Sequence, residues 1–213
     1  MHSMPESASL SRRERKSLET ATRLTDVCRR LTAERGLAGF TVEEACDEVD
    51  ISRRTFFNYF PTKEDAVIGT DSEEESRRFA DEFLSQGARG WPTVIDDLVD
   101  LVVKHFDAAG VDAVGHGDFI SALEREPRLL ARVIGISRER ERAVVALVAQ
   151  REGVGGDDPR AEAAVNILST LVRSAGEHFI NPSNTDDFSS ILTASLAAFR
   201  AVLAAPSPRK GQQ

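Results

Sequence analysis

The segment between Thr41 and Pro61 predicts two short helices separated by a tight turn. The first begins with a capping box, in which the Thr41 hydroxyl accepts the N–H of Glu44 and the Glu44 carboxylate accepts the N–H of Thr41. Ser52 provides the N-cap of the second helix, and Pro61 ends that helix after about eight residues. Two short capped helices joined by a turn of about three to four residues are typical of a helix-turn-helix.

A helix of about eight residues is not stable alone, so one of its faces must pack against the rest of the protein. Phe56 and Phe60, four residues apart, are the predicted anchors. The opposite face suits the major groove of DNA, because arginine binds guanine through two hydrogen bonds and asparagine binds adenine in the same way. The alternative is that the arginines are solvated surface residues. The side chains left for the groove and its rim are Arg53, Arg54, Thr55, Asn58 and Tyr59.

Apolar residues recur at helical spacing along almost the whole chain of 213 residues, and no useful length of strand-like alternation interrupts them. The pattern predicts an all-α protein. Gly36 is expected to end the first long helix, Asp50 to adopt a left-handed conformation in the turn, and Gly115 to break a later helix. The expected helices cover residues 13–35, 42–49, 53–60, 62–86, 92–109, 117–126, 127–151, 159–180 and 185–204.

The formal net charge of −8 neither supports nor excludes DNA binding, because the distribution of charge matters more than its sum. Arg12, Arg13, Arg15 and Lys16 form a basic cluster that could extend a DNA contact or belong to a flexible arm. No segment has the ~20 apolar residues of a membrane-spanning helix, and the N-terminus lacks the apolar core of a secretory signal. We expect a cytoplasmic protein that does not bind membranes.

Other classes of function find little support in the sequence. Cys28 and Cys46 occupy apolar helical positions and are expected to be buried small hydrophobes, with a redox-sensing pair as the alternative. The histidines lack metal-ligand spacing, so no metal site is expected. The glycine-rich segment 153–156 follows a helix and not a strand, which argues against a dinucleotide loop. We expect neither an enzyme nor a cofactor.

Residues 41–65 resemble the DNA-binding signature of TetR-family transcriptional regulators. The matching features are Thr41, Ser52, the Thr55-Phe56 pair, the aromatic residues before Pro61, and Lys63-Glu64-Asp65. The resemblance implies an N-terminal three-helix helix-turn-helix domain followed by a larger helical domain for ligand binding and dimerisation. The expected bounds are a disordered segment over 1–10, the helix-turn-helix domain over 11–69, the second domain over 70–205, and a disordered tail over 206–213.

The resemblance also assigns individual residues to DNA. Thr41 and Lys63 are expected to contact phosphates from helix N-termini, Asn58 to face a base, and Tyr59 to reach a phosphate. Where many relatives have a phosphate-binding tyrosine, this chain has Phe57, which we assign to packing because it lacks the hydroxyl. The residues assigned to double-stranded operator DNA are Thr41, Ser52, Arg53, Arg54, Thr55, Asn58, Tyr59 and Lys63.

In the family, the last two long helices pair with those of a second copy in a four-helix bundle. The resemblance therefore implies a homodimer and a near-palindromic operator. Apolar stripes on the last two helices fit this arrangement, although either stripe could equally form the core of a monomer. The interface is expected at Leu171, Ala175, Phe179, Leu192, Ser195 and Phe199.

Residues 127–142 are similar to a helix of an actinobacterial branch of the family that includes the mycofactocin repressor, whose ligands are long-chain acyl-CoAs. Phe179 replaces a tryptophan that is usual in the branch. The expected function is a repressor released from its operator by an amphipathic or hydrophobic inducer, either a drug-like compound or an acyl-CoA. An activator or a constitutive regulator without inducer is the alternative. The candidate ligand-binding residues, each of which could also be ordinary core, are Phe79, Phe83, Phe106, Phe119, Leu123, Ile134, Arg138 and Leu171.

Overall fold

A computed structural model of the chain describes residues 12–69, 73–109 and 112–204. The termini predicted to be disordered, 1–10 and 206–213, lie outside these ranges. Within them the regular secondary structure is entirely helical, which confirms the all-α prediction. None of the helices in these ranges is long and apolar enough to cross a membrane.

The helices follow one another from the N-terminus to the C-terminus with short connections. A single 3-10 turn, Leu37–Gly39, lies between the first two. The helices are α1 (Arg12–Arg35), α2 (Val42–Val49), α3 (Arg53–Tyr59), α4 (Lys63–Ile68), α5 (Glu73–Ser85), α6 (Trp91–Ala109), α7 (Ala113–Arg125), α8 (Pro127–Glu152), α9 (Pro159–Phe179) and α10 (Phe188–Leu203).

Two helix boundaries differ from those predicted. The single helix expected over 62–86 is wrong, because α4 ends before Gly69, whose φ of 91° lies outside the helical range. The break expected at Gly115 is also wrong. Gly115 lies inside α7, and its N–H donates to the Asp112 carboxylate at 2.7 Å, which caps the start of the helix.

The chain divides into two compact units. The first comprises Met1–Ser72 with Gly117–Ile134, and the second comprises Glu73–His116 with Gly135–Gln213. Residues 117–134, which the predicted bounds place in the C-terminal domain, therefore belong with the helix-turn-helix. They do so because Ala122, Leu123 and Leu129 are buried in the same apolar cluster as α1 and α3.

The core of the first unit holds the short helix α3 in place. Phe56 and Phe60 are 0 % and 1 % exposed, which confirms that they anchor this helix. They pack in one cluster with Leu24 and Leu31 of α1. Because truncating a buried phenylalanine to alanine costs about 3 to 5 kcal/mol, Phe56→Ala is a single change that would detach α3.

The second unit has its own apolar core, to which α6, α9 and α10 contribute Leu98, Leu168 and Leu192. A buried ion pair lies beside it. Nη1 of Arg151 is 3.0 Å from a carboxylate oxygen of Asp97, and both side chains are almost inaccessible to solvent. Each of the two side chains also has a second ion-pair partner, which is Arg89 for Asp97 and Glu152 for Arg151.

Candidate nucleic-acid interface

The turn between α2 and α3 forms from local hydrogen bonds. The N–H of Glu44 donates to the Thr41 hydroxyl at 3.1 Å, and the N–H of Thr41 donates to the Glu44 carboxylate at 2.6 Å. The second of these bonds lowers the pKa of Glu44. Asp50 then ends α2 in the left-handed conformation, with φ 58° and ψ 53°. The predicted capping box and left-handed turn are both confirmed.

Ser52 caps α3, as predicted. Its hydroxyl oxygen accepts the N–H of Thr55 at 3.1 Å and lies 2.8 Å from the Thr55 hydroxyl. Both hydroxyls therefore contribute to the start of the helix. These hydrogen bonds define where α3 begins. Because Phe56 packs into the core on one side of the helix, the side chains on the opposite side are exposed to solvent.

The exposed face of α3 consists of four side chains, those of Arg53, Arg54, Phe57 and Asn58. We call this set the reading face. It presents two guanidinium groups, a carboxamide and a phenyl ring, which are groups that can contact base edges in the major groove. Phe57 is 46 % exposed, so its assignment to packing is wrong.

Arg53 has two neighbours within the first unit. Its Nη1 lies 2.9 Å from Oε1 of Glu43 on α2, with both side chains more than half exposed. Its guanidinium carbon lies 5.7 Å from the centre of the Phe57 ring, within the range of a cation–π interaction. Both contacts hold the guanidinium on the reading face and near α2.

Tyr59 is half-buried and lies outside the reading face. Its hydroxyl accepts a hydrogen bond from the Ser17 hydroxyl of α1 at 3.3 Å, so the phenol joins α3 to α1 at the surface. The side chains of Arg12, Arg13 and Arg15 lie outside the described part of the chain. Lys16, the last member of the predicted basic cluster, is exposed.

Lys63 is turned toward its own unit. Its Nζ donates to the carbonyl oxygen of Phe40 at 2.8 Å and to the carbonyl oxygen of Leu37, and it lies 4.6 Å from the centre of the Phe40 ring. These bonds connect the start of α4 to the turn that precedes α2. The geometry therefore gives Lys63 a structural role at the base of the helix-turn-helix.

The sequence reasoning missed Arg29, which joins three helices of the first unit. Its guanidinium donates to the carbonyl oxygens of Val67 and Ile68, at 2.9 and 3.0 Å, and lies 4.6 Å above the Phe119 ring. Burial lowers the pKa of Arg29. The cation satisfies the carbonyl end of α4, where a positive charge is favourable. No local sequence pattern links position 29 to position 68, so this contact could only be found in the structure.

Comparison with known proteins agrees with this geometry. The sequence model for bacterial regulatory proteins of the tetR family matches residues 24–67, which extend from α1 to α4. The chain is 28 % identical over 178 residues to the HTH-type transcriptional regulator TcmR of Streptomyces glaucescens, and the match covers 82 % of this chain and 79 % of TcmR.

The chain is thus similar to TetR-family transcriptional regulators, and the matched residues 24–67 contain the helix-turn-helix formed by α2 and α3. A solved structure assigned to a TetR-family transcriptional regulator of Mesorhizobium loti MAFF303099 is also similar, with 18 % identity and a TM-score of 0.44. That likeness covers 88 % of this chain and 98 % of the other.

The candidate ligand-binding residues of the chain divide between its two units. Phe119, Leu123 and Ile134 belong to the first unit, where Leu123 is buried in the core and Ile134 is 43 % exposed. The other candidates, Phe79, Phe83, Phe106, Arg138 and Leu171, belong to the second unit.

Within the second unit, an aromatic cluster surrounds Phe106. The ring of Phe106 stacks on Phe188 with centroids 4.0 Å apart and meets Phe179 edge-on at 5.8 Å. Phe188 did not feature in the sequence reasoning. Spacing along the sequence could not show which of these rings touch.

The apolar stripes predicted to form the dimer interface lie largely inside the chain's own second unit. Leu171, Ala175 and Leu192 are 8 %, 0 % and 0 % exposed in the single chain. They form its core together with Leu168 and Leu196, which matches the alternative of a monomer core. Phe179, Ser195 and Phe199 are half-buried. The alanine side chains that α10 leaves exposed are Ala194, Ala197, Ala198 and Ala201.

Both cysteines of the chain are buried in the first unit, which confirms the expectation that they are small core residues. Cys28 and Cys46 are 0 % and 3 % exposed and are not disulfide-bonded. Burial, with a smaller contribution from Cys46, raises the pKa of Cys28 to about 12. Because the thiolate is the reactive form of cysteine, this arrangement disfavours a redox-sensing role.

Proposed function

We propose that this regulator is a repressor that binds a near-palindromic operator through the reading face and is released by a small amphipathic or hydrophobic molecule. The observation that carries the proposal is the grouping of Arg53, Arg54 and Asn58 on the exposed side of a short helix. Phe56 and Phe60 anchor that helix from its other side. Exposed arginine and asparagine on a helix that can enter the major groove provide direct readout of guanine and adenine.

The other residues assigned to DNA are proposed to contact its backbone or to support the reading face. Thr41 and Ser52 present the N-termini of α2 and α3, where main-chain N–H groups favour a phosphate. Thr55 and Tyr59 lie half-buried beside the reading face and are proposed to contact the rim of the groove. Lys63 is proposed to act on DNA indirectly, because its ammonium group stabilises the turn before α2.

We propose that the dimer forms through the faces of α9 and α10 that are exposed in the single chain. Ala194, Ala197 and Ala201 recur on α10 at spacings of three and four residues, so they share one face. Small side chains allow two helices to approach closely. A single short recognition helix contacts few base pairs, and two-fold symmetry doubles the site.

The inducer is proposed to bind in the second unit, near the partly buried ring of Phe106. The contacts of this ring with Phe179 and Phe188 create an apolar environment that suits the body of a hydrophobic drug or of an acyl-CoA. To release DNA, the ligand must bind more tightly to a conformation that does not fit the operator. An activator, or a regulator that needs no ligand, is the alternative.

The proposal is tested by selecting DNA with the full chain from a library of random duplexes. We expect enrichment of one near-palindromic sequence, and its affinity for the protein is then compared with that of a scrambled duplex by fluorescence anisotropy. A specific site is expected to bind about 10³-fold or more tightly than the scrambled one. No enrichment, or equal affinities for both duplexes, would overturn the proposal.

Release by ligand needs a separate measurement. Palmitoyl-CoA, and separately a hydrophobic dye that does not intercalate into DNA, are titrated into the protein with and without the selected duplex. Linkage requires that a ligand which weakens DNA binding about 5- to 150-fold is itself weakened by the same factor when DNA is bound. A ligand that binds equally well in both conditions does not regulate DNA binding, and the alternative without inducer would then be preferred.

A further inference from the structure

The phenyl ring of Phe57 lies at the centre of the reading face. At about 100° of rotation per residue, its position on α3 falls between those of Arg53 and Arg54. The ring is 46 % exposed, while its neighbour Phe56 is fully buried. Its contact with the ring of Phe56 is edge-on, with centroids 5.4 Å apart, and the ring of Phe57 remains partly open to solvent.

The chemistry of this ring restricts what it can contact on DNA. A phenyl group has no hydrogen-bond donor or acceptor for a phosphate or for the polar edge of a base. The major groove presents one apolar group, the C5-methyl of thymine, and phenylalanine is among the side chains that contact it. An apolar ring flanked by two base-reading side chains is therefore matched to this methyl group.

We propose that Phe57 determines specificity for a thymine in the operator by packing its ring against the C5-methyl group. This inference rests on the proposed function, since it requires the reading face to lie in the major groove. The cation–π contact at 5.7 Å also places the Arg53 guanidinium beside the ring. The thymine should accordingly lie within about two base pairs of a guanine read by Arg53, because residues four apart on a helix are about 6 Å apart along its axis.

Replacement of thymine by deoxyuridine tests the proposal, because this change removes the methyl group and leaves base pairing intact. Each symmetric pair of thymines in the selected duplex is replaced in turn, and binding of the full chain is measured by anisotropy. Loss of one buried methyl contact weakens binding about fourfold, so a symmetric pair is expected to weaken it about 15-fold. We expect this loss at one symmetric position for the wild-type protein.

Variants connect that loss to Phe57. Phe57→Ala is expected to bind the thymine and the deoxyuridine duplexes equally, whereas Asn58→Ala should bind more weakly overall but keep the full effect of deoxyuridine. Phe57→Leu retains an apolar side chain and should keep part of the effect. Far-UV circular dichroism and a thermal melt establish that each variant is folded. We expect the Phe57 variants to fold because position 57 is partly exposed.

The possible failures are distinguishable. If no duplex is enriched, the proposed function fails and this inference fails with it. If a duplex is enriched but no deoxyuridine position weakens wild-type binding, only the role of Phe57 is overturned. A loss that persists unchanged in Phe57→Ala would also overturn it, because the methyl contact would then belong to another residue.

Discussion

Arg53 on α3 and Glu43 on α2 form an ion pair in which Nη1 and Oε1 are 2.9 Å apart. The pair places one of the two arginines proposed to read bases beside a carboxylate of the neighbouring helix. Both side chains are exposed, so water and salt screen the attraction and the guanidinium can leave at small cost. An acidic side chain beside a reading face repels DNA phosphates, so we expect Glu43 to lower the affinity of the protein for DNA in general.

Glu43→Gln should strengthen binding to the selected duplex and to scrambled DNA about two- to fivefold, because an exposed ion pair is worth at most about 1 kcal/mol. Anisotropy titrations at several salt concentrations measure the change. The matched control is Glu48→Gln, also on α2, whose carboxylate pairs with Arg30 of α1. Weaker specific binding by Glu43→Gln would show that the pair positions Arg53 for the base.

Lys63→Met should destabilise the first unit without changing the number of phosphates that the protein contacts. The substitution keeps an aliphatic side chain of similar length but removes the ammonium group, which donates to two main-chain carbonyls and lies over the Phe40 ring. The free energy of unfolding, measured with urea, should fall by about 1.5 to 3 kcal/mol. The slope of log K against log salt should stay unchanged. A slope smaller in magnitude by about 0.9 would instead show that Lys63 contacts a phosphate, as predicted from the sequence.

The capping box should make stability depend on pH. Folding lowers the pKa of Glu44 from its ordinary value of 4.5. The stability that ionised Glu44 contributes to the folded state is therefore complete above pH 4.5, and it is lost as the pH falls through the lower pKa of the folded state. Glu44→Gln retains an acceptor for the Thr41 N–H but cannot titrate. The difference in Tm between wild type and Glu44→Gln should therefore narrow on acidification below about pH 4.5. A constant difference down to about pH 3 would contradict this assignment.

The local features of the helix-turn-helix could be predicted because they depend on residues three or four positions apart. The caps at Thr41 and Ser52, and the buried faces of Phe56 and Phe60, follow from spacing alone. Phe57 could not be assigned from its missing hydroxyl. It follows Arg53 by four residues and so shares the exposed face of the helix.

Features that depend on distant residues could not be predicted in the same way. The apolar stripes of α9 and α10 were visible in the sequence, but a stripe has the same appearance whether it faces a dimer partner or the chain's own core. Leu171 and Leu192 are buried within one chain, a result that required the positions of α6 and α10 relative to α9. The hydrogen bond from Lys63 to the carbonyl oxygen of Phe40 likewise joins residues that are 23 positions apart in the sequence.

The proposed dimer interface is tested by placing a charge on the exposed face of α10. Ala197→Arg should leave the fold intact and convert the dimer to monomer in light scattering, because an interface of small side chains cannot accommodate a long cation. Ala146→Arg, at an exposed alanine of α8, is the matched control and should remain dimeric. Leu171→Asp should instead lower the Tm, because position 171 is 8 % exposed in the single chain. A dimeric Ala197→Arg would exclude this face of α10.

The most direct test of the account is the effect of Arg54→Ala on the selected duplex compared with a scrambled duplex of the same length. If Arg54 reads a base, the variant should lose about 5- to 150-fold in affinity for the selected duplex, equivalent to about 1 to 3 kcal/mol, and much less for the scrambled one. Arg128→Ala, which removes an exposed arginine of α8 in the same unit, should leave the ratio of the two affinities unchanged. Equal losses on both duplexes for Arg54→Ala would contradict the assignment of the exposed face of α3 to base recognition.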